Sequence, residues 1–80
     1  LAAQWAERGV RVNALAPGQV ESGMTYTLDD ATRQGVVESI LLNRIGHPHE
    51  VTAVLATLAS DAGSFITGQT YVVDGGQMLG

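Results

Sequence analysis

The sequence predicts an α/β fold of parallel strands joined by helical crossovers, incomplete on its own. Three observations carry this. Helix-like and strand-like segments follow one another in the order helix, strand, helix, helix, strand, as in α/β proteins. The hydrophobic period switches from helical to two residues at Val10, where β-branched content rises. Only two strand candidates are present, whereas a parallel sheet is normally covered on both faces by helices. Further strands are therefore expected upstream.

Leu1 to Arg8 reads as the last turns of a helix, with Leu1, Trp5 and Arg8 on one face and Gly9 as the left-handed residue that ends it. Leu1 opens midway through that pattern, without a methionine or an N-cap, so a truncated chain is expected. Val10 to Ala16 reads as a strand. Val10, Val12 and Ala14 share one face; Arg11, Asn13 and Leu15 share the other. Pro17-Gly18 breaks it, because proline has no donor for a sheet ladder.

Residues 19–28 read as loop. Asp29-Asp30 then caps a helix to about Leu41 or Leu42, weakened by Gly35. Residues 43–47 connect. Pro48 suits the first position of the next helix, with Glu50 in its positively polarised first turn. That helix is expected to reach about Ser60 and to bury Val51, Val54, Leu55 and Leu58. Residues 61–68 are turn-rich, Gln69 to Val73 form the second strand, and Asp74-Gly75-Gly76 ends it. There is no internal repeat and no low-complexity segment.

Composition narrows the chemistry. The chain has 80 residues, enough for one small domain that buries roughly 60–65% of its unfolded surface. With no cysteine it has no disulfide and no thiolate metal site, which fits a reducing cytoplasm. The formal net charge is −4, from eight acidic residues and four arginines without a lysine. No basic patch is available for a phosphate backbone, so no nucleic-acid partner is expected. No apolar run approaches the ~20 residues of a membrane helix, and charged residues by Glu7 do not read as a signal peptide.

Four segments together resemble the short-chain dehydrogenase/reductase family in its common bacterial form. The first is Arg11-Val12-Asn13-Ala14-Leu15-Ala16-Pro17-Gly18. The second is Arg44-Ile45-Gly46-His47-Pro48-His49-Glu50-Val51, similar to the family's Arg-x-Gly-x-Pro-x-Glu stretch before its last long helix. The third is Leu58-Ala59-Ser60-Asp61 followed by Phe65-Ile66-Thr67-Gly68-Gln69, and the fourth is Val73-Asp74-Gly75-Gly76. Each is weak alone; four in order, at matching spacing over nearly the whole chain, are specific.

The resemblance implies the C-terminal part of a Rossmann-like doubly wound parallel sheet, here two strands and about four helical segments. Residues 1–80 would be the C-terminal portion of a single NAD(P)-binding domain. The family's Gly-rich phosphate loop lies in its N-terminal part. Its catalytic serine and Tyr-x-x-x-Lys pair lie in its middle. The lysine lowers the tyrosine's pKa, and the tyrosine exchanges a proton with the substrate oxygen. This chain has no Gly-x-x-x-Gly-x-Gly and no lysine, and neither Tyr26 nor Tyr71 begins a Tyr-x-x-x-Lys. No catalytic residue is therefore assigned within it.

Pro17, Gly18, Val20 and Ser22 are the cofactor-binding candidates. The resemblance implies a loop crossing the nicotinamide end of NAD or NADP, with Gly18 allowing close approach and the Val20 main chain bonding the carboxamide. Ser22 stands where the family usually has threonine; its hydroxyl keeps the polar function without the methyl. The plainer alternative is a Pro-Gly turn with a polar loop residue. Residues 21–43 match the family's variable substrate segment, with Met24, Tyr26 and Leu28 as a substrate lid. The apolar face of Val36, Val37, Ile40 and Leu41 either lines a pocket or packs on its own core.

Asn13 is read as an amide satisfying neighbouring backbone groups. His47 and His49 are read as helix N-terminal residues rather than metal ligands, since a catalytic zinc normally takes three protein ligands. Arg44 is expected to pair with an acid such as Glu50, and Trp5 to lie in a core or interface. The glycines at 68, 75 and 76 are read as tight-turn residues at the two ends of the last strand.

The implied function of the intact protein is hydride transfer between NAD(H) or NADP(H) and a small-molecule alcohol/carbonyl pair. A homodimer or homotetramer would form through residues 48–60 and 69–73. The alternative is a non-catalytic interaction module built from the same fold pieces.

Overall fold

The computed structural model describes residues 1–79. In chain order these form α1 (Ala2–Ala6), β1 (Ala14–Pro17), α2 (Gly23–Tyr26), α3 (Asp30–Glu38), α4 (Pro48–Ala59), a 3-10 turn (Asp61–Gly63) and β2 (Thr70–Val73). The strands pair in parallel, with Ala14 opposite Thr70, Leu15 opposite Tyr71, Ala16 opposite Val72 and Pro17 opposite Val73. A parallel pair needs a long crossover, and α2, α3 and α4 occupy it. The fold is thus the incomplete α/β arrangement the sequence implies.

Each element has a local cause. α1 stops at Ala6, short of the expected Arg8, and a turn over residues 7–9 follows, in which Gly9 takes φ +73°, a left-handed backbone that glycine adopts without a Cβ clash. Asp29 caps α3 by accepting a 2.7 Å bond from the Thr32 N–H. Pro48 opens α4, and the Glu50 carboxylate reaches back to accept the His47 N–H at 2.9 Å. Ser60 closes α4 by donating its hydroxyl to the Thr57 carbonyl at 3.0 Å.

Several boundaries differ from expectation. β1 begins at Ala14 rather than Val10, because its ladder starts only where Ala14 N–H donates to the Gln69 carbonyl at 2.8 Å. Just before it, the turn around Thr67 holds the backbone. The Val12 N–H donates to Thr67 Oγ1 at 3.0 Å, and the Val12 carbonyl accepts from Gly68 N–H at 2.8 Å. Pro17 closes β1 instead of breaking it. The bond beyond it is donated by Gly18 N–H to the Val73 carbonyl at 2.9 Å, so the missing proline donor falls at the strand end. The expected loop at 19–28 contains α2, and α3 stops at Glu38, where the Ser39 hydroxyl donates to the Val36 carbonyl at 2.6 Å.

The core is small. Ile40 and Ile45 are its buried apolar side chains among the described residues, with Thr25 the buried polar one. The α4 stripe expected to be buried is only half covered: Val51, Val54 and Leu58 are intermediate and Leu55 is 54% exposed. The radius of gyration is 15.6 Å, against about 12 Å for a compact domain of this length. Surface that would be core in a finished α/β layer is therefore open here. Among the described residues, no helix is long and apolar enough to cross a membrane.

Candidate functional site

In open α/β sheets, ligands bind outside the carboxyl ends of the strands. Here β1 runs on through Gly18 to Val20, and β2 runs on into Asp74-Gly75-Gly76. The two exits touch. A Cβ on Gly18 would lie 2.5 Å from the Asp74 Cβ and 2.8 Å from its Cα, so only glycine lets them approach. The Asp74 carboxylate fixes its own turn, accepting from Gly76 N–H at 2.8 Å and Met78 N–H at 3.0 Å. The close approach at Gly18 is thus to the last strand's turn.

Val20 forms a one-residue parallel bridge with Gly46. Its two bonds run from Gly46 N–H to the Gln19 carbonyl (3.0 Å) and from Glu21 N–H to the Gly46 carbonyl (2.9 Å). The N–H and C=O of Val20 itself take part in neither, as parallel pairing requires. Val20 also lines a cavity of about 440 Å³ bounded by Gln19, Arg44, Glu50, Val73 and Asp74. Pro17, Gly18 and Ser22 lie outside that lining, as do Met24, Tyr26 and Leu28. Met24 and Tyr26 stand exposed on α2, and Leu28 is half-buried just after it.

At the cavity wall Arg44 grips Glu50 with both nitrogens, at 2.7 Å each. That guanidinium, together with the His47 N–H, holds the Glu50 carboxyl at about 2, far below its ordinary range. The expected Arg44 partner is therefore Glu50. Asn13 does what was expected of it. Its Nδ2 donates to the Ile66 carbonyl at 2.9 Å and its Oδ1 accepts from Gln69 N–H at 3.1 Å. His47 is the N-cap of α4, with His49 in the first turn, and their rings stack 5.5 Å apart. Among the described residues, no group of three or more His, Cys, Asp or Glu converges on a metal position. Trp5 is half exposed, with the Arg8 guanidinium 5.7 Å from its ring centre.

One cluster escaped the sequence reasoning. Arg33, on α3, contacts both oxygens of Glu21 and donates to the Thr25 carbonyl at 3.3 Å. The Thr25 hydroxyl accepts the Ser22 N–H at 2.7 Å and lies 2.9 Å from Glu21 Oε2, to which it can donate. Thr25 is 5% exposed. The polar residue three places after Ser22 is a capping-box signal that points to Thr25. Nothing in the spacing points to Arg33, twelve positions from Glu21.

Residues 1–78 match the family described as Enoyl-(Acyl carrier protein) reductase. The chain is 46% identical over 74 residues to the 3-oxoacyl-[acyl-carrier-protein] reductase FabG of Rickettsia felis, covering 92% of this chain and 31% of that protein. It is 44% identical over 78 residues to the protein of that name from Thermotoga maritima, covering 98% and 32%. It is 40% identical over 79 residues to the one from Escherichia coli, covering 99% and 32%. The chain spans about a third of the length of these curated relatives. On four ordered motifs, a parallel strand pair whose exits touch, and identities of this size over nearly every residue, the chain belongs to the short-chain dehydrogenase/reductase family of oxidoreductases.

Proposed function

We propose that residues 1–80 are the nicotinamide-side loop, the substrate lid and the oligomer-forming part of an NAD(P)-dependent oxidoreductase. The observation that carries this is Val20. Its N–H and C=O are left out of the bridge to Gly46, at the carboxyl end of β1, on the wall of the cavity. A primary carboxamide offers one acceptor and two donors, which such a main-chain pair complements. When bound, the dinucleotide supplies the hydride. The residues of this chain hold and orient its nicotinamide end. Val20 bonds the carboxamide, Pro17 and Gly18 set the loop's exit from the sheet, and Ser22 offers a hydroxyl beside it. Met24, Tyr26 and Leu28 on and after α2 cover the substrate. The proton-transfer groups and the phosphate loop are supplied by the rest of the intact protein.

The relatives are named for reduction of a 3-oxoacyl group carried on acyl carrier protein, so such a carbonyl substrate is the first to try. Exposed Leu55 on α4, Val72 on β2 and Phe65 between them support self-association through residues 48–60 and 69–73. The cysteine-free composition suits a cytoplasmic enzyme.

Fluorescence titration of the intact protein with NADH and NADPH tests the Val20 contact. Val20→Pro removes the Val20 N–H but neither bond of the Gly46 bridge, and is expected to weaken binding about tenfold, while Val20→Ala binds as the parent does. Equal binding by both variants would refute the main-chain contact. Absence of saturable binding by the unsubstituted intact protein would favour the non-catalytic interaction module.

A further inference from the structure

The loop that carries Val20 and Ser22 is short of apolar anchors, since Ser22, Gly23, Met24 and Tyr26 are all exposed. Its shape must come from polar contacts. On one side Glu21 N–H donates to the Gly46 carbonyl. On the other, the Glu21 side chain turns inward, 12% exposed, onto the Arg33 guanidinium of α3. Arg33 is itself about a third exposed and spans the gap between α3 and the loop. It reaches both Glu21 oxygens and the Thr25 carbonyl. Thr25 closes the circuit through the Ser22 N–H. Three side chains thus tie α3 to the backbone on either side of Ser22, across a stretch that contains the whole of α2.

We propose that Arg33 and Glu21 are positioning residues. Their clamp holds the Val20–Ser22 loop and α2 as one body with α3, so that the nicotinamide-binding backbone and the lid keep a fixed mutual geometry. This rests on the cofactor role given to Val20. A bidentate guanidinium–carboxylate contact suits the task because its planar fork fixes direction as well as distance, which a lysine ammonium does not. The arginine also holds the Glu21 carboxyl below its ordinary range, so the clamp keeps its charge further into acid than a free glutamate would.

The test compares Arg33→Gln and Arg33→Lys in the intact protein, by NAD(P)H titration, amide exchange and melting. Arg33→Gln is expected to raise the cofactor Kd about three- to tenfold. It is expected to speed exchange of the Ser22 and Thr25 N–H groups about tenfold, with exchange in β1 and β2 unchanged. Arg33→Lys, keeping the charge without the fork, is expected to fall between. A Kd within twofold of the parent with unchanged exchange at Ser22 and Thr25 would overturn the clamp. So would an exchange increase spread equally over both strands, which marks general destabilisation. If the unsubstituted protein binds no cofactor, the role of Val20 fails while the exchange pattern still decides whether the clamp exists.

Discussion

Gly18 and Asp74 show what single residues contribute. The two strand exits meet at a distance that excludes a Cβ, so Gly18→Ala must push the Asp74 turn or the loop aside. The expected loss is about 1–3 kcal/mol of stability in the intact protein, of the size seen when a packed contact is overfilled. Denaturant melting checks it; an unchanged midpoint would show that the two exits move apart freely. At this scale the sequence was legible wherever a residue's chemistry acts on its neighbours. Asn13, Asp29 and Glu50 all do what their local setting implies. Arg33 was not legible, because its partners are brought to it only by the turn between α2 and α3.

Among the elements, α4 is the best defined by sequence but only partly covered in space. Pro48 and Glu50 fix its start, and Ser60 its end. Its stripe was expected to be buried but is half open, since burial depends on surfaces that β1 and β2 alone do not supply. Strand limits were misjudged for a related reason. Period-two patterning runs from Val10, but the ladder lasts only as long as its partner, and residues 12–13 bond the Thr67 turn instead. The capping of α4 has a pH signature. Glu50 titrates at about 2 in the folded protein and at an ordinary 4.5 otherwise. Its contribution is therefore complete above pH 4.5 and is lost as the pH falls toward 2. Glu50→Gln lacks that contribution at every pH. The gap between the melting temperatures of parent and variant should therefore narrow steadily from pH 4.5 to 2. A gap that is constant with pH would mean that the Arg44–Glu50 pair does not stabilise the fold.

For the whole molecule, the two-stranded sheet, the small core around Ile40 and Ile45 and the 15.6 Å radius all describe a piece of a larger α/β layer. The fold class was legible because the order of elements survives in a fragment. The site was legible only in part, because Val20 stands out in the sequence whereas Arg44, Glu50 and Asp74 are brought to its cavity only by the fold. The central claim is that residues 1–80 supply the cofactor-side loop and lid of an oxidoreductase. The most direct measurement exchanges them for the matching segment of the Escherichia coli relative, to which they are 40% identical over 79 residues. The chimera is then assayed for NADPH-dependent reduction of a 3-oxoacyl thioester, with the 80-residue chain alone as control. The account predicts a chimera active to within about tenfold of the relative, a loss of about 1.4 kcal/mol in transition-state stabilisation, and no turnover by the chain alone. A folded chimera that binds no NADPH would contradict it.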